Sequence, residues 1–419
     1  MLFIYLPQLY ATRPRMYTPL GAMILASILE KNDIETEIKN YSYFSMDQAI
    51  EDLPPRNIYG LTCTSLDLPT ANKFSKLIKK KYSESKVILG GPGTITEEFV
   101  DWEYVDSIVK GEAELIILRI MEDVRNDSLK KIYIGQPVLE LDNLPFPARH
   151  LGGFGCNIFS WDTGDDQSAV LMTGRGCPFN CAFCASRFLN KGLVRFRSID
   201  NVVQEIREIK ETYGVRQFRI IDEMLNAKRE RLYEFCEKVE PLDIRWRLPL
   251  RVRPLDFDML RAMKKAGCRE VTLGVESFDE NVLKALNKKT TPFDNARALF
   301  LSHEAGLPSR CFILTRTPGQ TENTIPTNIK YLEVVPYNLV TCTTLIPFPG
   351  CDIWFNPEKY GVEILDRDLE HYNMWSYGPE GEVKWPNILR PLDRDLETFN
   401  REGEEMKAFL KSTGRWNIG

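Results

Sequence analysis

Histidine is almost missing from this 419-residue sequence: His150, His303 and His371 are the whole supply. Residues 1–140 contain none, which removes imidazole as a ligand from that stretch. No apolar run approaches the roughly 20 residues that a membrane helix needs. Met1 to Leu9 enters a strand-like pattern without a signal-peptide layout. Net charge is also scarce: 54 basic against 59 acidic residues leave −5, which argues against a nucleic-acid-binding surface. The short clusters Lys79-Lys80-Lys81 and Lys288-Lys289 read as solvated helix faces or ends. A cytoplasmic protein with no membrane and no nucleic-acid partner is the expectation. Of ten cysteines, Cys63, Cys156, Cys236, Cys268, Cys311, Cys342 and Cys351 are scattered, mostly in apolar contexts. Buried free cysteine behaves as a small hydrophobe, and without a secretory signal a disulfide framework is not expected.

The other three cysteines stand together, in Gly174-Arg175-Gly176-Cys177-Pro178-Phe179-Asn180-Cys181-Ala182-Phe183-Cys184. A Cys-x3-Cys-x2-Cys loop can wrap one corner of an iron–sulfur cluster. Full ligation of a four-iron cluster takes four thiolates, so three leave one iron open. A structural zinc site is normally closed by four ligands, and the loop offers no fourth Cys or His. The motif, with Phe183 before its last cysteine, resembles the signature of the radical S-adenosylmethionine (SAM) superfamily. That resemblance implies a 4Fe-4S cluster held by Cys177, Cys181 and Cys184, with SAM chelated at the open iron.

At this length the chain has room for two domains and a tail. Residues 1 to about 135 alternate strand and helix patterns. Leu2–Leu6 and Ile58–Thr62 read as apolar strands, Ile34–Ile38 as an outer strand, and Val87–Leu89 and Ser107–Val109 as further strands before glycine-rich loops. One helix starts near Thr18 as N-cap with Pro19 at the first position; another carries Phe74, Leu77 and Ile78 on one face. Such alternation implies a doubly wound parallel sheet, with ligands beyond the carboxyl ends of the strands. Gly90-Gly91-Pro92-Gly93 does not match the dinucleotide fingerprint G-x-G-x-x-G.

This half is similar to the Rossmann-like cobalamin-binding domain of one large radical SAM subfamily. The matching pieces are Tyr17-Thr18-Pro19-Leu20-Gly21, Thr64-Ser65-Leu66, Leu89-Gly90-Gly91-Pro92 and Val109-Lys110-Gly111-Glu112. The resemblance implies cobalamin contacts from Tyr17, Leu20, Gly21, Thr64, Ser65, Leu66, Gly90, Gly91, Pro92, Gly111 and Glu112. The Asp-x-His-x-x-Gly motif of histidine-ligated cobalamin domains is absent, so cobalamin would bind without a histidine lower ligand from this domain.

The expected layout is a cobalamin domain over 1–140, a linker over 141–168, a partial (β/α)6 barrel over 169–360 and a C-terminal lid or substrate-cavity region over 361–419. The linker contains Leu144-Pro145-Phe146-Pro147, stiffened by its prolines. Barrel strands are expected at Ala169–Met172, Gln217–Asp222, Ile244–Val252, Glu270–Glu276, Cys311–Arg316 and Leu339–Ile346. The helix from about Asn201 to Tyr213 has Ser198 or Asp200 as its cap. Barrels of this kind keep their chemistry at the carboxyl ends of the strands. There stand Asp222-Glu223, which in the superfamily would receive the SAM amino group and could otherwise cap the next helix. Gly274-Val275-Glu276-Ser277 resembles the Gly-Ile-Glu-Ser segment that contacts SAM. Phe183, Asp222, Glu223, Arg253, Glu276 and Ser277 are therefore the SAM-binding candidates. Arg247, Arg251 and Arg253 share one face of their strand by alternation and call for anionic partners. Arg247, Arg251, Arg316, His371, Tyr372 and Trp375 are the substrate-cavity candidates. Pro318-Gly319-Gln320-Thr321-Glu322 and Pro347-Phe348-Pro349-Gly350 are similar to further turns of the subfamily.

The resemblance implies a cobalamin-dependent C-methyltransferase that generates a 5′-deoxyadenosyl radical and methylates a substrate carbon. Its substrate would be a small molecule or peptide, and its electron donor a protein such as flavodoxin or ferredoxin. Other readings are a non-methylating rearrangement or cyclisation, a plain radical SAM enzyme with a vestigial first domain, and a non-catalytic iron–sulfur protein. A methylthiotransferase would add three N-terminal cluster cysteines, where this half has only Cys63.

Overall fold

The computed structural model describes residues 1–8, 18–159, 166–372 and 386–416, with the backbone alone at 376–377 and 383–384. The chain divides into two compact units, Met1–Cys156 and Asn157–Gly419.

The first unit holds β1 (Leu2–Tyr5), α1 (Leu20–Glu30), β2 (Glu37–Asn40), α2 (Met46–Asp52), β3 (Ile58–Thr62), α3 (Leu68–Lys81), β4 (Lys86–Gly90), β5 (Ser107–Lys110), α4 (Ile117–Arg125), β6 (Ile132–Ile134) and the short α5 (Arg149–Gly152). Its strands form one parallel sheet in the order β2-β1-β3-β4-β5-β6. Phe3, Ile58, Ile88 and Val109 join residues of α1 and α4 in one apolar cluster. The alternate residues Leu2, Ile4, Tyr59, Leu61, Val87 and Leu89 are equally buried, so the sheet is covered on both faces. This accounts for the continuous apolar runs read as strands. β2 sits at the sheet edge and is half-buried throughout, as expected of an outer strand.

Two local expectations are corrected. Pro19, not Thr18, occupies the N-cap of α1, and no side chain caps that helix. Thr18 instead offers its carbonyl to the amide of Leu20. Residues 141–156, expected as connector, pack within the first unit. The Ser27 hydroxyl donates to the Phe146 carbonyl at 2.6 Å, and Ala148 lies in the apolar cluster.

The second unit is built on β7 (Ser168–Leu171), a two-residue antiparallel pair β8 (Gly174–Arg175) and β9 (Arg195–Phe196), and then α6 (Ser186–Leu189), α7 (Ile199–Tyr213), β10 (Gln217–Ile220), α8 (Arg229–Val239), β11 (Arg245–Arg251), α9 (Phe257–Lys265), β12 (Cys268–Glu276), α10 (Glu280–Ala285), α11 (Pro292–Glu304), β13 (Ser309–Thr315), α12 (Thr324–Val334), β14 (Leu339–Thr344), α13 (Asp352–Phe355) and α14 (Leu396–Thr413). The large strands follow sequence order, β7-β10-β11-β12-β13-β14, and every pairing is parallel. One-directional order with right-handed crossovers puts the helices on one side of the sheet and turns the other side inward. This is the expected six-stranded partial barrel.

Ser198 caps α7, its hydroxyl accepting from the Asn201 amide, and Gly214 ends the helix in left-handed conformation. On β11, Trp246, Leu248 and Leu250 point to one buried face. Trp246 packs edge-to-face on Phe235 at 5.3 Å and its indole N–H donates to the Ala266 carbonyl. Such a ring pair adds about 1 kcal/mol beyond its buried area. Among the described residues no helix is long and apolar enough to cross a membrane.

Candidate functional site

The cysteine loop leaves the carboxyl end of β7 and is closed at its base by the β8–β9 pairing, Gly174 opposite Phe196 and Arg175 opposite Arg195. Gly176 takes φ +94°, and a Cβ there would lie 1.9 Å from the Leu193 carbonyl oxygen, so only glycine fits this turn. Glu223 clasps the loop from beyond β10. Its carboxylate accepts from the Gly176 amide at 3.0 Å, the Ser186 hydroxyl at 3.3 Å and the Asn190 side-chain amide at 3.0 Å. Further along, the Ala182 amide donates to the Leu286 carbonyl and the Asn287 side chain to Asn180. The three thiols are free; those of Cys177 and Cys181 are half-buried and Cys184 is exposed. Cys181 and Cys184 also line an open cavity of about 390 Å³ beside Arg187, Phe188 and Phe355.

Burial pushes the Cys177 thiol up from its ordinary range, and the neighbouring Cys181 adds to the rise. A coordinated thiol is deprotonated outright, because the metal charge outweighs this cost. Among the described residues no group of three His, Cys, Asp or Glu side chains converges tightly enough for a single metal ion. A cubane assigns each thiolate to a separate iron, so three sulfurs spread along one clasped loop fit a cluster. Arg251, ending β11, brings Nη1 to 3.5 Å from the Cys181 sulfur.

The remaining SAM candidates divide by location. Asp222 is fully enclosed and accepts from both the amide and the hydroxyl of Thr173, which ties β10 to the start of the loop. Burial pushes its carboxyl up to about 6 against these hydrogen bonds. Asp222 and Glu223 thus hold the loop; neither caps the following helix, whose N-cap is Lys228. Glu276 stands at φ +65° where the β12–β13 register shifts, and pairs with Lys288 at 2.7 Å, both groups buried. Its second carboxylate oxygen is buried without a hydrogen-bond partner. Lys288 lies 5.8 Å from the Phe183 ring, which brings Glu276, Lys288 and Phe183 to the cysteine loop. Ser277 is buried and donates to Asn328. Arg253 turns outward to an exposed pairing with Asp294.

The described substrate-cavity candidates each keep a different set of partners. Arg247 pairs with the buried Glu270, which also pairs with Arg310. These three stand at the opening of β11, β12 and β13, away from the carboxyl ends, so alternation put Arg247 and Arg251 on one face but not at one site. Arg316, at φ +53°, donates to the Pro386 carbonyl and the Asn387 side chain, and burial lowers its pKa. Tyr372 is wholly buried against Phe348 and Trp354. His371 is exposed and bonded to Asp366, which raises its pKa. Trp375 and Tyr17 lie outside the described residues.

In the first unit, the candidates fall in the loops beyond β1, β3, β4 and β5. Asp67 accepts from Gln8 and from the amide and hydroxyl of Thr64, joining the loops after β1 and β3. Ser65 is buried and Leu66 half-buried. Gly91 takes φ +99° and passes so near the β3 loop that a Cβ would meet the Cys63 carbonyl oxygen at 2.6 Å. Nothing within 4 Å would meet a Cβ on Gly21 or Gly90. Leu20 opens α1, Pro92 is exposed, Gly111 follows β5, and Glu112 accepts from the Val138 amide. His150 belongs to this unit after all, yet it is exposed and bonded to Glu30 at the carboxyl end of α1, the edge of the sheet opposite these loops.

Sequence reasoning missed Lys288, Asn190, Ser186 and Phe179. Lys288 was expected to be solvated and is instead a buried ion-pair partner, 6 % exposed. The turn after α10, Leu286-Asn287-Lys288-Lys289-Thr290-Thr291, is polar in sequence and gave no sign of this burial, and the others carried no signal either.

Residues 171–332 match the family described as the Radical SAM superfamily. An uncharacterized methyltransferase of Pyrococcus horikoshii is 26 % identical over 360 residues, 80 % of this chain and 77 % of that one. The anaerobic magnesium-protoporphyrin IX monomethyl ester cyclase of Rubrivivax gelatinosus is 25 % identical over 411 residues, 87 % of this chain and 72 % of its own. Among solved structures, the radical SAM methyltransferase TsrM of Kitasatospora setae, with cobalamin and a 4Fe-4S cluster bound, superposes with a TM-score of 0.73 at 13 % identity, covering 100 % of this chain and 90 % of that one. The fold of TsrM is thus the fold of this chain.

Proposed function

We propose that this chain, which carries a radical SAM domain, is a cobalamin-dependent radical SAM methyltransferase acting on a carbon of a small-molecule substrate. The observation that carries the reading is the loop holding three free thiols, Cys177, Cys181 and Cys184, at the carboxyl end of a parallel strand, clasped by Glu223. When bound, the 4Fe-4S cluster would supply the electron that cleaves SAM, and cobalamin the methyl group delivered to carbon.

The protein's part is to hold and exclude. The three cysteines would ligate three irons and leave the fourth for the amino and carboxylate groups of SAM. The open carboxylate oxygen of Glu276, whose other oxygen is held by Lys288, is the acceptor suited to the SAM amino group. In the first unit, Gly21, Gly90 and Gly91 would let backbone approach the corrin and its nucleotide tail, and no side chain of residues 1–140 supplies an imidazole to the cobalt. The electron donor would be a low-potential protein such as flavodoxin or ferredoxin.

A ring-forming reaction is a second reading, favoured by the similarity to the cyclase of Rubrivivax gelatinosus along most of the chain. One preparation tests the cofactors: purify anaerobically, rebuild the cluster, add hydroxocobalamin, desalt, and measure iron and cobalt. About four irons and one cobalt per chain are expected; iron without cobalt removes the methylcobalamin step. The product mass, with or without one added methylene equivalent, then separates methylation from cyclisation.

A further inference from the structure

Arg251 stands out among the buried cations. It closes β11, is 8 % exposed, and places its guanidinium 3.8 Å over the Phe179 ring of the cysteine loop. Nη1 points to the Cys181 sulfur at 3.5 Å, while Nε and Nη2 are buried with no hydrogen-bond partner. Its backbone is pinned, since Asn226, itself wholly buried, donates to the carbonyls of Arg251 and Pro254. A guanidinium taken out of water and left with open N–H groups is costly unless an anion completes it. On the same strand Arg247 has its carboxylate in Glu270; Arg251 has a ring, a sulfur and vacant donors.

We propose that Arg251 is a positioning residue of the cluster: its guanidinium donates to the sulfur face held by Cys177, Cys181 and Cys184 and raises the cluster's reduction potential. The proposal rests on the cluster reading above. Three thiolates around an oxidised core leave a net negative charge that grows by one on reduction, so a fixed cation favours the reduced form more than the oxidised one. Hydrogen bonds to the sulfurs act in the same direction. Phe179 holds the planar fork in place by stacking, which a lysine cannot reproduce.

The test is a redox titration without SAM, followed by the electron-paramagnetic-resonance signal of the reduced cluster, on reconstituted wild type, Arg251→Gln and Arg251→Lys. Iron per chain is expected to stay unchanged in both variants. In Arg251→Gln the one-electron reduction equilibrium is expected to fall about tenfold, a midpoint about 59 mV more negative. Arg251→Lys, which keeps the charge but loses the fork and the stack, falls between the two. Equal midpoints in all three proteins overturn the proposal and leave the cluster reading intact. A wild type that binds no iron removes both. Should Arg251→Gln fail to assemble a cluster, Arg251→Lys decides: a more negative midpoint supports the role, an unchanged one overturns it.

Discussion

Both units stand on six parallel strands, yet one sheet reverses its order and the other does not. In the first, β1 has β2 on one side and β3 on the other, so the order turns at β1, and the glycines stand in the loop after β4, Gly90-Gly91-Pro92-Gly93. In the second, the order never turns, and the carboxyl ends bring charged side chains to one loop: Glu223, Arg251, Glu276 and Lys288 around three cysteines. A curled sheet with charged ends suits a compact ion that must be held, tuned and covered.

The largest effect that tests this contrast is loss of a cysteine. Replacing Cys177, Cys181 or Cys184 by Ala is expected to abolish SAM cleavage and strip the cluster iron, while cobalamin retention by the first unit persists. Retained SAM cleavage would remove the assignment of the loop. The reverse experiment is Gly91→Val. At Gly91 φ is +99° and ψ −179°, a region essentially confined to glycine, so a side chain there is strained by about 1 to 3 kcal/mol before its clash with the Cys63 carbonyl is counted. Cobalamin retention is expected to fall about tenfold or more with iron content unchanged; if both fall together, the two sites are not independent.

A third variant acts on stability. Glu276→Gln leaves Lys288 buried without its counter-charge, and removing one partner of a buried pair costs about 3 to 5 kcal/mol. A clear drop in thermal midpoint is expected, and an unchanged midpoint would mean that Lys288 finds water or another anion. The smallest effect is a slope with pH. The Asp222 carboxyl is raised from 3.8 to about 6 by burial, so the folded protein holds a proton that the unfolded chain releases. Its contribution is present below about 3.8 and is lost as pH rises through about 6. Asp222→Asn, which keeps an acceptor for the Thr173 amide, is expected to flatten stability against pH in that window.

Much of this was legible along the chain. The cysteine loop is a local motif, and its spacing is set by the geometry of one turn. The apolar runs of β1, β3 and β4 reflect burial on both sheet faces, and the six barrel strands were placed within a few residues of where they stand. The arginines were harder. Alternation along β11 correctly grouped Arg247 with Arg251, but a strand is long enough for its two ends to face different chemistry: Glu270 at one, Cys181 at the other. Lys288 resembled any surface lysine until the turn after α10 folded it under Phe183. Sequence by itself determined the two parallel sheets and the cluster loop, because periodicity and short spacing are local properties of a chain. Only the tertiary structure decided which carboxylate clasps the loop, which lysine pairs with Glu276 and which arginine reaches the sulfur, because those partners are 47, 12 and 70 residues apart and meet only through the order of the strands.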